Sequence, residues 1–387
     1  MTYTDLVSIV SMKTKRAYKY RFYPTPEQAE LLARTFGCVR FVYNAILKWR
    51  TDAFYNDGES VNYNTASAKL TALKKEFEWL NDVSSVPLQQ SLRHQQTAFK
   101  NFWEGRAKYP TFKKKNHRQS ATFASSAFSY KAGALFIAKD KDPLNIRWSR
   151  DLPCKPSTIT ISKDRAGRYF VSCLCEFEAE ALPVVAKTTG VDLGLKDLFV
   201  TSDGFKSGNP KYTAKYAAKL AYLQRKLAKK QKGSNNRAKA RLKVARLHAR
   251  IADCRIDATH KATRKLINEN QVVCVESLAV KNMLKHPTLA KAIADANWGE
   301  FVRQLKYKAD WAGHTLVEID RWFPSSKRCP TPGCGHINET LPLNIRKWTC
   351  PCCGQSHDRD IAAAINIKAA GLAVLASGVT GSGARAA

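Results

Sequence analysis

The chain has 387 residues, of which 44% are hydrophobic, so it can bury a core in each of several domains and is not a disordered protein. Its 64 Lys and Arg against 32 Asp and Glu give a net charge of +32, which repels itself unless a polyanion neutralises it. Nucleic acid is the commonest such partner, because each phosphate contact releases counterions. The charge therefore predicts an RNA or DNA partner.

The N-terminus carries no secretory signal and no apolar run is long enough to span a bilayer, so we expect a cytoplasmic protein without a membrane partner. Eleven cysteines are present, and five of them lie between positions 329 and 353. Such clustering without an export signal favours metal binding over disulfides. Residues 1–11 precede Met12, where the basic sequence begins, so the start is open between Met1 and Met12.

The first third of the chain predicts a strand followed by helices. Residues 13–23 alternate basic residues with apolar or aromatic ones, as a strand does. Thr25 is the expected N-cap of a helix with Gln28 at its third position, a capping-box pattern. Helical spacing continues through 64–77 and 87–104. These segments predict an α-helical unit after the first strand.

After Lys115 the hydrophobic period changes to two, which predicts β structure. The clearest hairpin pairs 158–162 with 168–178, and the helical unit therefore interrupts a β domain that the N-terminal strand opens. From Thr188 the pattern becomes α/β. It predicts strands within 189–201, 271–276 and 314–319, and helices at 296–311 and 359–371.

Three carboxylates occupy the predicted α/β region. Asp192 lies inside the apolar strand GVDLGLK, Glu276 ends another apolar strand, and Asp360 falls in the first turn of a predicted helix. Each alone is more often a turn, strand-end or cap residue, but RNase H-like nucleases build their metal site on strand, strand and helix. Carboxylates are the hard ligands that Mg²⁺ prefers, and two such ions can drive phosphodiester hydrolysis. Asp358 remains an alternative third carboxylate.

Two cysteine pairs, separated by fifteen residues, predict a structural zinc site, because four thiolates leave no open coordination position. The expected ligands are Cys329, Cys334, Cys350 and Cys353. Cys352 is the expected spare, with His336 and His357 as outside candidates.

A basic helical hairpin is predicted from Lys211 to Arg250, which holds fourteen Lys or Arg and no Asp or Glu. A merely solvated face usually carries both signs, so this one favours contact with a nucleic-acid backbone without sequence readout. The proposed contacts are Lys226, Lys229, Lys230, Arg237 and Arg241.

The sequence resembles the TnpB family of transposon-encoded, RNA-guided DNA endonucleases. The resemblance is carried by RFYPTPEQ, RFVYN, YPTFKKK, GVDLGLK, VES, WGEF, FPSSKRC and CPCCGQSHDRD, in that order over nearly the whole chain. It implies catalysis by Asp192, Glu276 and Asp360 with two Mg²⁺ or Mn²⁺, and structural zinc on the four cysteines. It also implies a guide RNA from the transposon end and cleavage of double-stranded DNA beside a short transposon-associated motif.

The resemblance implies a multidomain α+β fold: a β-barrel wedge domain with a helical recognition insert, then an RNase H-like (RuvC) nuclease domain interrupted by a zinc ribbon. The boundaries are 1–24 with 110–183 for the wedge, 25–109 for the helical domain, 184–328 with 358–372 for RuvC, 329–357 for the ribbon, and 373–387 for a disordered tail. Tyr63, Gln89 and Gln90 are candidate readers of the flanking motif, with core packing equally open for Tyr63.

Two departures from the family pattern stand out. The first cysteine pair encloses four residues where the family has two, and Ala362 replaces an Asn that could help orient the metal site. Three other functions compete with guided cleavage: a guided DNA-binding repressor with weak or lost cleavage, a DNA-joining transposase, and a compact CRISPR effector. The transposase is least favoured, because no His-rich or Tyr nucleophile motif is evident.

Overall fold

The computed structural model describes residues 11–342 and 344–378. The expectations for residues 1–10 and for most of the predicted tail lie outside these ranges. The described chain forms two compact units, one of Lys13–Glu178 with Arg241–Arg246 and the other of Ala179–Ala240 with the residues from Leu247 onward.

The N-terminal unit combines three helices with a sheet. Its elements are β1 (Ser11–Phe22), α1 (Pro26–Asp57), α2 (Tyr63–Glu76), α3 (Ser85–Trp103), β2 (Gln119–Ala124), β3 (Phe128–Lys131), β4 (Ala134–Ile137), β5 (Ile146–Arg147), β6 (Thr158–Lys163) and β7 (Tyr169–Glu180). The predicted capping box begins α1: Gln28 N donates to Thr25 Oγ1 and Thr25 N donates to Gln28 Oε1, both at 3.2 Å.

The main sheet of this unit has the strand order β2-β6-β7-β1-β5, and β3 pairs with β4 in a separate hairpin. The predicted hairpin is confirmed, with Ile159 opposite Cys173 and Ile161 opposite Val171. In the described residues β2 and β5 remain at the two edges, so the barrel implied by the family resemblance is not confirmed. Barrel closure requires a pairing between distant strands that hydrophobic alternation along each strand does not specify.

The C-terminal unit is an α/β layer structure. Its elements are β8 (Thr188–Leu193), β9 (Phe199–Thr201), α4 (Tyr212–Lys215), α5 (Ala217–Ala228), α6 (Asn235–Glu269), β10 (Val272–Glu276), α7 (Val280–Met283), α8 (Ala290–Ala296), α9 (Trp298–Ala312), β11 (Thr315–Ile319), β12 (Lys347–Thr349), β13 (Ser356–Asp358) and α10 (Arg359–Ala376).

Its central sheet has the order β11-β10-β8-β9, in which β8, β10 and β11 run parallel and β9 is antiparallel to β8. Cys274 of β10 pairs with Gly190 of β8, and Val275 pairs with Val191. One step further along this register brings Glu276 level with Asp192. The two residues therefore lie side by side on neighbouring strands.

Helix α10 lies directly on one face of this sheet. A Cβ at Gly190 would stand 2.0 Å from the carbonyl oxygen of Ala364, and one at Gly371 would stand 2.3 Å from Cys274 Sγ. Neither distance can accommodate a side chain, so both glycines are needed for the close approach of helix and strands. The other face packs against α6 and α9 through Val191, Val273, Val275 and their neighbours.

The last helix is longer than the sequence predicted. Helix α10 continues to Ala376, past the predicted start of the tail at residue 373. Val374 packs against the small cluster beneath the helix, so the apolar face extends by about one turn. Residues 379–387 lie outside the described part of the chain.

Candidate metal centres

The three predicted carboxylates come to the same face of the central sheet. Side chains alternate along a strand, so Asp192 and Gly190 share one face of β8, and Glu276 and Cys274 share one face of β10. This is the face that α10 covers, and Asp360 lies in the first turn of α10. Two strands and one helix thus bring the carboxylates together.

The pKa values reflect this convergence. Burial, followed by repulsion from the Glu276 and Asp360 carboxylates, raises the pKa of Asp192 to about 7. The guanidinium of Arg359 opposes that effect. Burial also raises the pKa of Glu276, while a hydrogen bond from Ser325 acts in the other direction. Crowded acids that resist ionisation are a suitable environment for a divalent cation.

Glu276 is held by a hydrogen-bonded chain that begins in α10. The hydroxyl of Ser325 donates to Glu276 Oε1. The buried amide Nδ2 of Asn366 donates to the carbonyl oxygens of Ser325, at 2.8 Å, and of Arg328, at 2.7 Å. The segment 325–328 is therefore fixed on α10, and its serine orients the carboxylate. Such outer contacts tune metal ligands.

The neighbouring Asp358 has a different role from Asp360. It is the N-cap of α10, where its Oδ1 accepts from the backbone N–H groups of Asp360 and Ile361. Its other oxygen pairs with Lys206 Nζ at 2.7 Å, and despite burial these contacts hold its pKa below the usual range. Asp360 is contacted instead by Arg346, at 3.2 Å. This arrangement favours Asp360 over Asp358 as the third ligand.

The four predicted cysteines form a cluster in which all ligand atoms lie within 4.8 Å of one another. The Sγ atoms of Cys329 and Cys353 are 3.6 Å apart, and those of Cys334 and Cys350 are 3.7 Å apart. A tetrahedron with Zn–S bonds of about 2.3 Å has edges of about 3.8 Å. The cluster therefore fits Zn²⁺, and the longer first loop does not prevent the fit.

Contacts around the cysteines complete this site. The backbone N–H of Gln355 donates to Cys353 and lowers the pKa of that thiol to about 6. Thr331 Oγ1 and His357 Nε2 each lie 3.3 Å from Cys329 Sγ. Cys352 is exposed and lies outside the cluster, as expected for the spare cysteine.

The carboxylates are spaced more widely than the cysteines. The ligand atoms of the four cysteines all lie within 4.8 Å of one another. Among the described residues, the three carboxylates do not form a group that is as close as this. Two cations about 3.5–4 Å apart share their ligands, so all three carboxylates need not touch the same ion.

The basic hairpin consists of α5 and α6, with Ser234 as the N-cap of α6. Of the proposed phosphate contacts, Lys226, Lys229, Lys230 and Arg241 are exposed. Arg237 differs: its guanidinium donates to the carbonyl oxygens of Leu227, at 3.1 Å, and Lys230, at 2.7 Å. Arg237 therefore closes the turn of the hairpin, and its side chain is already committed.

The candidate motif readers lie on α2 and α3. The ring of the partly buried Tyr63 lies 4.4 Å from the guanidinium of Arg93. Gln89 is exposed and Gln90 is partly buried on α3. Tyr63 also packs against the core of the N-terminal unit, in line with the alternative considered from sequence.

Comparison with known proteins now assigns the family. A family model described as a probable transposase of the OrfB/IS605 type matches residues 172–286, a Cas12f1-like TNB domain matches 298–367, and a helix-turn-helix domain matches 12–59. A Streptomyces pristinaespiralis protein with the provisional name RNA-guided DNA endonuclease is 53% identical over 95% of this chain and 92% of its own length. The chain belongs to the TnpB family.

The TnpB-family chain is also 32% identical to InsQ of Escherichia coli K12, which bears the same provisional name, over 95% of both proteins. The Cas12f1 chain of a cryo-EM structure with sgRNA and target DNA superposes with a TM-score of 0.54 at 13% identity, covering 92% of this chain and 99% of that one. That likeness confirms the multidomain α+β fold class. Among the described residues of this TnpB-family chain, every helix is too short or too polar to cross a bilayer.

Sequence analysis missed three residues of this TnpB-family site: Ser325, Asn366 and Arg346. Ser325 stands in the quoted FPSSKRC motif, but nothing local links it to a strand-end carboxylate. Asn366 offered a usable signal, because it is a polar residue within the apolar run 361–367 and so required a buried partner. Arg346 offered none, being one of many cations.

Proposed function

We propose that this protein is an RNA-guided endonuclease that cleaves double-stranded DNA beside a short flanking motif. The observation that carries this proposal is the convergence of Asp192, Glu276 and Asp360 below the start of α10, with the pKa of Asp192 raised to about 7. Buried carboxylates that repel one another destabilise the fold when no cation is bound, and they can serve as ligands when one is.

The proposed chemistry is hydrolysis of a phosphodiester bond. Bound Mg²⁺ or Mn²⁺ would lower the pKa of the attacking water and stabilise the leaving oxygen. The protein contributes by holding ligands in place: Ser325 fixes the rotamer of Glu276, and Asp358 caps α10 so that Asp360 projects from its first turn. Arg346 contacts Oδ1 of Asp360 at 3.2 Å and would share this carboxylate with a bound cation.

The nucleic-acid partners follow from charge and family membership. A guide RNA derived from the transposon end would pair with the target strand, so that base pairing reads sequence while the protein binds backbone. Three exposed lysines at the C-terminal end of α5 and in the turn after it, namely Lys226, Lys229 and Lys230, suit phosphate contact. Tyr63, Gln89 and Gln90 are proposed to contact the flanking motif.

We also propose domain identities. The sheet β11-β10-β8-β9 with α10 would be a RuvC-like nuclease domain, interrupted at 329–357 by a zinc ribbon, and Cys329, Cys334, Cys350 and Cys353 would hold one structural Zn²⁺. The five-stranded sheet would belong to the wedge domain and α1–α3 to the recognition domain.

The deciding experiment expresses the chain with its transposon end and sequences the copurified RNA. A plasmid carrying the guide match and a randomised flank is then incubated with Mg²⁺. Wild type should cut a subset of flanks, Asp192→Ala should bind but not cut, and the exposed carboxylate control Asp257→Ala should cut normally. Tight binding without cleavage by wild type would instead support a guided repressor, and absence of a discrete RNA would refute guidance.

A second experiment tests the basic hairpin. Replacing Lys229 and Lys230 by Gln should weaken binding to every sequence alike and reduce the slope of log K against log salt by about 0.7–0.9 per lost phosphate contact. An unchanged slope would show that these lysines do not contact phosphate.

A further inference from the structure

A cavity of about 660 Å³ opens beside Glu276 in the C-terminal unit. Its size is within the range of small-ligand sites, and Glu276 itself forms part of its wall. The remaining wall comes from the segment after β10, from α9 and from Glu318 of β11. The cavity therefore shares Glu276 with the proposed cleavage site.

The lining of this cavity suits a flat aromatic ligand attached to a charged backbone. Leu278, Val280, Leu284 and Val302 supply apolar walls, and the buried indole of Trp298 supports them. Three cations also line it. Arg303 is paired with Glu300 and Lys306 with Glu318, but Lys281 is exposed and has no acidic partner within the described ranges. A nucleobase fits the apolar walls and its phosphate fits the remaining cation.

Gly299 lies at the mouth of this cavity. It lies in the first turn of α9 and lines the cavity, yet a Cβ at this position would meet no atom within 4 Å. Its φ is not in the left-handed region, so the backbone does not require glycine. Because no side chain projects from this position, the mouth of the cavity stays open.

We propose that this cavity receives one nucleobase of the DNA strand being cut, immediately next to the phosphate that reaches Asp192 and Glu276. The proposal rests on the proposed nuclease function and adds a binding subsite to it. Seating the base would fix the scissile phosphate against the carboxylates, since reactive groups must be held close and aligned. Gly299 would be a positioning residue, because it admits the base without touching the reacting atoms.

The test combines substrate and protein changes in the guide-loaded complex. Single abasic nucleotides are scanned across the cleaved positions of the DNA, and cleavage rates are measured at saturating DNA. Wild type should slow by roughly 5- to 150-fold at one abasic position, the range expected when one stacked base is lost. Gly299→Leu, which fills the cavity mouth, should be slow on intact DNA and insensitive to that same abasic position.

Two variants control for folding. Gly299→Ala should unfold no more easily than wild type, because alanine favours the helix and meets no neighbour. Ala294→Leu introduces the same leucine side chain at an exposed site of α8 in the same unit and should cut at the wild-type rate.

Each other outcome overturns the subsite. Wild type that cuts all abasic substrates equally, or Gly299→Leu that cuts normally, would show that no base occupies the cavity. Sensitivity to an abasic position in the guide RNA alone would assign the cavity to RNA. Failure of wild type to cut any DNA would refute the proposed nuclease function, a result distinct from these.

Discussion

Replacing Asp192 by Asn should stabilise the metal-free protein near pH 8 while abolishing cleavage. In the folded chain the pKa of Asp192 is raised to about 7, mainly by burial and by the neighbouring Glu276 and Asp360 carboxylates. In the unfolded chain an Asp titrates near 4. Asparagine has nearly the same shape and removes the ionisable group, so it should relieve the repulsion without leaving a cavity.

The size of the effect follows from the two pKa values. Between pH of about 4 and about 7 the folded state holds a proton that the unfolded state has lost, so stability falls as pH rises through that window. The full difference corresponds to about 4 kcal/mol. Because Asp192 is partly exposed, water screens its charge, and we reduce the expected free-energy difference by half, to about 2 kcal/mol. For a unit of this size that raises Tm by roughly 4–8 °C.

The assay is thermal unfolding of wild type and Asp192→Asn in a chelator at pH 4, 6 and 8, repeated with Mg²⁺. The gap in Tm should be small at pH 4, full at pH 8, and smaller at pH 8 with Mg²⁺, because the cation stabilises only a site with its carboxylate. Equal melting at pH 8, or a gap independent of pH, would refute the argued electrostatic repulsion.

Three further predictions concern the zinc cluster, the sheet and the outer contacts. Cys334→Ala should lose stoichiometric zinc by elemental analysis and melt earlier, whereas Cys352→Ala should retain both zinc and stability. Gly190→Ala should lose about 3 kcal/mol or more in denaturant unfolding, because its Cβ would overlap the Ala364 carbonyl; wild-type stability would contradict the packing. Ser325→Ala should raise the Mg²⁺ needed for half-maximal cleavage about tenfold with DNA binding unchanged, and an unaltered Mg²⁺ titration would remove its orienting role.

Local patterns were sufficient wherever the interaction itself is local. The capping box at Thr25 and Gln28 depends on residues three apart, so it was readable from the sequence and recurs in the structure. The four cysteines that cluster in the structure were identified from the sequence by residue type and spacing, and Cys352 was set aside, because two closely spaced cysteine pairs are typical of a metal site. The two faces of β8 and β10 follow in the same way from side-chain alternation.

Features that depend on contacts between distant segments could not be predicted from the sequence. A closing strand for the barrel could not be identified from the hydrophobic pattern, and none is found among the described residues. The hydrogen bond from Ser325 to Glu276 spans 49 residues, and the bond from Asn366 to Ser325 spans 41. Polar contacts of this kind are specified by geometry between segments, which residue type alone does not encode.

By itself, then, the sequence determined the chemical groups of this protein: a polycationic chain, two cysteine pairs spaced as metal ligands, and carboxylates within apolar segments. Tertiary structure decided which of those groups lie together. The register of β8 and β10 sets Glu276 level with Asp192, and the glycine contacts of α10 bring Asp360 over them rather than Asp358. Charge and ligand type belong to single residues, whereas proximity arises only when strands pair and a helix packs on them.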